Sequence, residues 1–486
     1  MNGSMILFIL GYVLRIEGLL MLPPALVGLI YREAEGWAYL AIGVLSILLG
    51  SLAIRKRPTN TVFYLKEGCV ATALSWITMS LFGALPFMIT GEIPGFTDAI
   101  FETVSGFTTT GSSILPDVEA MSHCSLFWRS FTNWIGGMGV LVFLLAVVPL
   151  SGGSHFNLMR AESPGPSVGK LVPRVKSTAR LLYLIYIALT VAMILLLAID
   201  MPLFDAVLAS FSAAGTGGFG IKVDSFAGYS AYAQWIVTIF LILFGINFNA
   251  YYFILLRKFR RAWEMEEVRW YLAIVLAATA LLFFDVVRIY ATAFEALTHA
   301  AFQVASIITT AGFATADFTL WANSSQMILI ILMFVGACAG STGGGIKVSR
   351  IVLLIKTVAR EFSSYIHPKS IRTVKMDGKP VEQGMLHSVC VYLATFVLLF
   401  CGSVLLVALE GQDLVTTTTA VIATINNIGP GLGQVGPAGN FAMFTGFSKW
   451  ILIFDMLAGR LELFPLLILF HPALWKDSFS RRKTDA

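Results

Sequence analysis

Apolar stretches long enough to span a bilayer recur along the 486-residue chain, at 5–31, 36–54, 68–90, 126–150, 179–200, 231–256, 269–290, 326–355, 385–409 and 447–470. A membrane helix needs about 20 consecutive apolar residues, so the pattern predicts ten of them. Between the members of four successive pairs sits a shorter apolar segment of about a dozen residues, too short to cross. Each ends in a similar turn: Thr109-Thr110-Gly111-Ser112, Thr216-Gly217-Gly218-Phe219, Thr310-Ala311-Gly312-Phe313 and Asn427-Ile428-Gly429-Pro430. A segment of that length can enter a membrane and return if protein or a water-filled cavity surrounds its backbone. The predicted fold class is an all-α polytopic membrane protein. Four pseudo-symmetric units of helix, reentrant pore helix and helix would surround a central pore, with two extra helices at the N-terminus. The expected divisions are 1–66 for the N-terminal pair, 67–178, 179–267 and 268–383 for the first three repeats, and 384–486 for the fourth repeat with a tail.

Setting the four glycines in register exposes the repeat without outside knowledge. Asp98 stands thirteen residues before Gly111, and Asp205 thirteen before Gly218; Ala99, Ala206 and Ala300 share the next place. Six residues before the glycine come Ser105, Ser212 and Ser306, with the fourth copy diverged to Ala423. The segments read as short helices, with Thr97 as the expected cap of the first and Phe204-Asp205 opening the second. Their partly negative carboxyl ends would face the turns. Four glycine turns about one axis would aim carbonyl oxygens into a shared space, and such rings replace the hydration shell of a cation.

Composition agrees with a membrane location. The chain is 57% hydrophobic and 13% charged, with a mean hydropathy of +0.81, whereas about a quarter of a soluble domain is charged. The net charge of +5 is loop charge rather than a nucleic-acid surface. Basic residues gather in every second connection: Arg55, Lys56, Arg57 and Lys66; Arg160 to Arg180; Arg257 to Arg269; Lys356 to Lys379; and the tail from Lys476. The bias of basic loops toward the cytoplasm puts both termini inside. The glycine-turn connections lean acidic, with Glu92, Asp98, Glu102, Asp117 and Glu119 in the first; individually they read as solvated loop residues, and collectively they would raise cation concentration at an outer mouth. The five cysteines and six histidines are dispersed, without disulfide or metal spacing. The N-terminal apolar run lacks a basic lead and is broken by Arg15 and Glu17, so it is expected to be a retained helix rather than a signal peptide.

Two nucleotide-like motifs fail on context. Gly215 to Gly220 fits GxGxxG but lies between apolar helical segments rather than in a βαβ unit. Gly340 to Lys347 resembles a phosphate loop, yet Ile346 separates glycine from lysine and Val348 stands where Ser or Thr is needed. That stretch instead breaks a long apolar run, which points to unwound backbone beside a cavity. A flexible plug beneath the ring, with Lys347 as a charge near the path, is the expectation; a simple kink is the alternative. Arg460, in the last apolar segment, is expected either to pair with Glu462 or Asp455 or to stand as a fixed positive charge on the path. No HExxH, GxSxG or paired intramembrane aspartates are present, so an enzyme is not expected.

Phe107 to Gly111, Asn133-Trp134-Ile135-Gly136-Gly137-Met138-Gly139, Ile308 to Phe313, Gly340 to Lys347, Asn426 to Gly431 and Gly459-Arg460-Leu461-Glu462 together resemble the Trk/Ktr/HKT potassium transporter superfamily, across essentially the whole chain. The extra N-terminal helix pair makes it most similar to the bacterial potassium-uptake members. The resemblance implies K+ as the transported ion, by channel or symport, in a bacterial inner membrane. It implies a K+ filter at Thr109, Thr110, Gly111, Thr216, Gly217, Gly218, Thr310, Ala311, Gly312, Asn427, Ile428 and Gly429. It further implies a gating loop at Gly343, Gly344, Gly345 and Lys347, a pore arginine at Arg460, a homodimer, and a cytoplasmic ring of TrkA-type nucleotide-binding subunits.

Overall fold

A computed structural model describes residues 1–56, 58, 64–137, 139, 175–370 and 372–475. The described chain is almost entirely helical; the one sheet is the two-residue hairpin Lys375–Met376 with Lys379–Pro380. Among the described residues five helices are long and apolar enough to cross a membrane: Gly3–Tyr31, Gly36–Ile54, Leu65–Thr90, Glu266–Val286 and Gln383–Ala408. The 126–150 stretch beyond Gly137, apart from Gly139, most of the basic segment up to Arg174 and the tail from Lys476 lie outside the described residues.

The first two helices cross through glycines. Built onto Gly11, a Cβ would meet Gly50 O at 2.9 Å, and on Gly43 it would meet Gly18 O at 2.9 Å. Lipid tails supply no hydrophobic drive between helices, so small residues that let backbones close up are how membrane helices gain contact.

Three expected spans are broken. The segment 231–256 forms Ala231–Gly245 and Phe248–Leu255, bent by 91° at the break, where Asn247 turns its side chain to cap Asn249 N. The segment 326–355 divides into Asn323–Val335 and Val348–Ile366. In the last, the helix Gly446–Arg460 stops at Arg460, and Glu462 and Leu463 take left-handed backbone before Phe464–Leu467.

Four short helices, Phe96–Phe107, Leu203–Gly215, Ala293–Ile308 and Leu414–Ile425, sit at the centre. They are more buried than the long helices: in Phe96–Phe107 every residue from Ala99 onward is buried. Their starts differ from expectation. Gly95 is extended, so the first helix begins one residue before Thr97, which lies inside the first turn and makes no cap. The second begins at Leu203 after Pro202, whose fixed φ suits a helix entry. Thr292 and Asp413 do cap the third and fourth, accepting from Glu295 N and Thr416 N.

Candidate functional site: four glycine turns and the loop against them

All four short helices end the same way. The N–H of Thr109, Thr216, Thr310 and Asn427 bonds back three residues, to Gly106, Ala213, Ile307 and Thr424 O, at 3.0–3.2 Å. The next N–H bonds back five: Thr110 to Ser105 O, Gly217 to Ser212 O and Ala311 to Ser306 O at 2.8 Å, and Ile428 to Ala423 O at 2.9 Å. This is the Schellman closure, in which a left-handed residue lets two end carbonyls be satisfied. The left-handed residues are Thr109 (φ 54°), Thr216 (53°), Thr310 (60°) and Asn427 (55°). The serines aligned in the sequence are therefore the residues whose backbone carbonyl closes the turn. Ala423 does this equally well, since the bond does not use the side chain.

Two residues on, Gly111, Gly218, Gly312 and Gly429 also have positive φ, at 80°, 70°, 82° and 99°. Glycine is required there twice over. A Cβ on Gly111 would collide with Gly217 O, one on Gly218 with Ala311 O, one on Gly312 with Ile428 O, and one on Gly429 would meet Thr110 O at 2.8 Å. Each glycine thus touches the middle carbonyl of the next turn, and the fourth returns to the first. The four turns close a ring in chain order. Side chains lock the closing joint: Asn427 Nδ2 donates to Thr110 Oγ1 at 2.9 Å, and Ser112 Oγ donates to Gly429 O at 3.1 Å.

On one side of the ring lies a cavity of about 120 Å3, lined by the four glycines and by the chain that follows each of them, including Ser113, Phe219, Ala314 and Pro430. Backbone bonds join these outer segments, Phe226 N to Ala314 O and Phe441 N to Ser113 O, both 2.8 Å. Most acidic residues of the first connection have partners within the protein. Glu102 is fully buried and pairs with Arg129 at 2.8 Å, while also accepting from Ser113 Oγ and Ile114 N. Asp98 pairs with Lys449 at 2.6 Å, Glu92 accepts from Ser122 N, and Glu119 accepts from Val223 N. The charged side chains among the described lining are Arg129 and Lys222. Burial is the reason for Glu102, since a carboxylate inside protein needs partners; Asp117 and Glu119 stay exposed.

The other side of the ring meets the loop 336–347. Gly344 N donates to Thr310 Oγ1 at 2.6 Å and Gly345 N to Asn426 O at 3.1 Å; a Cβ on Gly343 would stand 2.8 Å from Thr309 O. The loop is tied at several points. Cys338 N bonds to Gly245 O and Phe248 N to Gly340 O, so the loop fills the break in the bent helix pair. Lys347 Nζ turns back onto Gly343 O, closing the loop on itself. Arg460 donates to Thr342 O at 3.1 Å and also to Gly136 O, and its guanidinium lies 5.8 Å from the Trp76 ring centre. Glu462 pairs with Arg350, and Asp455 accepts from Ser403 Oγ at 2.7 Å, so each of the two carboxylates considered for Arg460 serves another group.

Every residue singled out in the sequence for the ring and the loop is thus brought to one place. Sequence reading missed the buried supports. Glu267 accepts from Ala339 N at 2.6 Å and Ser349 N at 3.2 Å, and from Asn247 Nδ2 at 3.3 Å, holding both ends of the loop and the bent pair with one carboxylate. Arg129 spans from Glu102 to Gly220 O at 3.2 Å and lies 4.1 Å over the Phe219 ring. For Arg129, a charge inside the apolar stretch 126–150, that position was the signal; Glu267, just ahead of the stretch 269–290, gave none.

Four glycine turns at the ends of short buried helices, between a cavity and a loop, sit in a helix-rich chain in which five described helices are long and apolar enough to cross a membrane. The TrkH family of cation transport proteins matches residues 37–482. The chain is 39% identical over 482 residues to the Trk system potassium uptake protein TrkH of Salmonella typhimurium, covering 95% of this chain and 99% of that one. It is 36% identical to TrkH of Halomonas elongata, over 98% of this chain and 100% of that one, and 32% identical to TrkG of Escherichia coli K12, over 96% and 97%. The crystal structure of the potassium transporter TrkH from Vibrio parahaemolyticus superposes with a TM-score of 0.88 at 33% identity, covering 98% of this chain and 100% of that one. The chain therefore belongs to the TrkH family of cation transport proteins, a transporter family rather than one of enzymes.

Proposed function

We propose that this protein takes up potassium across the bacterial inner membrane through the ring, which acts as a selectivity filter. The closed succession of contacts Gly111–Gly217, Gly218–Ala311, Gly312–Ile428 and Gly429–Thr110 carries the reading. The partly negative carboxyl ends of four helices meet there, and buried peptide oxygens in a ring can stand in for a cation's water shell. The short helices act as reentrant pore helices within repeats at 67–178, 179–267, 268–383 and 384–486, and the pair at 1–66 stands outside them. The names of the similar proteins, all potassium uptake proteins, make K+ the cargo. K+ is substrate here rather than resident cofactor.

The loop 336–347 is the gate. It lies against the ring through Thr310 and Asn426 and is latched by Arg460 to Thr342 O. Opening requires that latch and the Gly344–Thr310 bond to part, and differential contact between a closed and an open state is what lets a partner bias the gate. The alternation of basic connections supports cytoplasmic termini. A homodimer and a cytoplasmic TrkA-type nucleotide-binding ring complete the assembly.

Rubidium uptake by cells lacking other potassium importers tests the function. Expression of the protein restores uptake, and Gly312→Ala, whose methyl would collide with Ile428 O, abolishes it at equal membrane abundance. Restoration of uptake by Gly312→Ala to the unaltered level overturns the proposal.

A further inference from the structure

The second turn of the ring differs from the other three in its middle residue. Thr110, Ala311 and Ile428 carry side chains that are fully buried and form part of the packing behind their turns. Gly217 has none. The space a side chain would use there is occupied by Asn133, from the helix His123–Gly137: a Cβ on Gly217 would lie 2.5 Å from Asn133 Nδ2 and 2.6 Å from its Oδ1, and would collide with Cγ. The same residue's backbone O presses on Gly215, the last residue of the second short helix. Asn133 is fully buried, yet among the described residues neither its Nδ2 nor its Oδ1 has a hydrogen-bond partner. Leaving a buried amide unsatisfied costs on the order of 1–3 kcal/mol. A hydrogen-bonding brace is therefore not what places this side chain; its contact with Gly217 is.

We infer that Asn133 is a specificity-determining positioning residue, the back wall of the second turn, supplying from a neighbouring helix the bulk that Gly217 lacks and so fixing where the Gly217 carbonyl stands against Gly111. The inference rests on the filter reading above. A ring selects a cation by the spacing and stiffness of its oxygens, so a void behind one turn relaxes that turn and lets a smaller ion be held as well. A close-packed wall resists such movement, and cutting it leaves a cavity that neighbours only partly fill.

The test is paired substitution in purified protein reconstituted into liposomes, reading the ratio of K+ to Na+ flux. Asn133→Ala lowers the ratio by about tenfold, equivalent to about 1.4 kcal/mol of relative ion energy. Gly217→Ala lowers it too, by collision. The double variant Asn133→Ala/Gly217→Ala returns methyl for amide and recovers most of the ratio. Asn133→Ser, a smaller cut, moves the ratio in the same direction as Asn133→Ala and guards against a folding defect in the latter. An unchanged ratio in both Asn133 variants, or a double variant no better than the worse single one, overturns the inference. Gly111→Ser, whose Cβ would collide with Gly217 O, separates the two levels: if it shifts selectivity while the Asn133 variants do not, only the wall is wrong, and if it too leaves the ratio unchanged, the filter reading itself fails.

Discussion

A threonine in left-handed backbone is an uncomfortable arrangement, costing about 1–2 kcal/mol relative to its usual conformations. Three of the four turns nevertheless use one, at Thr109, Thr216 and Thr310, and the glycine is kept for two residues later. The choice follows from space. At the left-handed position no neighbouring backbone intrudes, whereas at Gly111, Gly218 and Gly312 another turn's carbonyl sits where a Cβ would be. Substituting Gly111→Ser should therefore shift the Gly217 carbonyl and lower the K+ to Na+ flux ratio by about tenfold or more, a relative change of about 1.4 kcal/mol. Flux in proteoliposomes reads this directly, and wild-type selectivity in that variant would contradict it. Removing one member of the buried Glu102–Arg129 pair strands the other charge, so Glu102→Ala should lower unfolding stability by about 3–5 kcal/mol, seen as early loss of the monodisperse peak on heating in detergent. At the protein's edge, Glu33 lies between two helices and accepts from the N–H of His123 and Cys124 and from the His123 ring. Burial works to raise its pKa, but these bonds outweigh that and hold the carboxyl below its ordinary value. Since its folded pKa is depressed, its contribution is present above the unfolded pKa and is lost as pH falls through the folded one. Glu33→Gln should then melt lower than wild type at pH 7, by about 1 kcal/mol or less because its imidazole partner is half-exposed, with the gap closing below pH of about 4. A gap that persists at that pH would count against the assignment.

The helices were legible in the sequence to different degrees. Long apolar runs such as Gly36–Ile54 and Gln383–Ala408 stood out because each needs only its own composition. The four short helices were legible through the equal spacing of their glycines. The breaks were only partly so. Repeated glycines flagged the loop 336–347, but nothing local to Gly245-Ile246-Asn247 announced a 91° bend, because that bend is held by the loop's Gly340 and Cys338, nearly a hundred residues away. Thr97 failed as a cap for a smaller reason: Gly95 could extend and start the helix a residue earlier. The paired charges were hidden for the same cause as the bend, since a carboxylate such as Glu267 looks like any first-turn acid until its distant N–H partners are folded onto it. At this scale the loop yields its own expectation. Arg460→Ala removes the donor to Thr342 O and Gly136 O, and should raise basal K+ flux several-fold while leaving the K+ to Na+ ratio near wild type, because the ring's own contacts are untouched. Flux unchanged or reduced at equal protein would show that Arg460 does not latch the loop.

As a whole, the molecule places its least lipid-like backbone at its centre. The long helices face outward with exposed side chains such as Leu52, Leu276 and Leu398, and the turns, the loop and the paired charges Glu102, Arg129 and Glu267 lie inside, held by other protein groups. Non-helical backbone survives at membrane depth only under those conditions. Glycine contacts between Gly3–Leu20 and Gly36–Ile54, and again around the ring, show one device serving two ends: close approach for packing in one place, and close approach of peptide oxygens in the other. The measurement that bears most directly on the ring is the reversal potential of purified protein in a planar bilayer under opposed K+ and Na+ gradients. A potassium-selective ring gives a current whose reversal potential lies close to the K+ equilibrium value and moves toward the Na+ value in Gly111→Ser. A wild-type current that reverses midway between the two, or no cation current under any gradient, would contradict it.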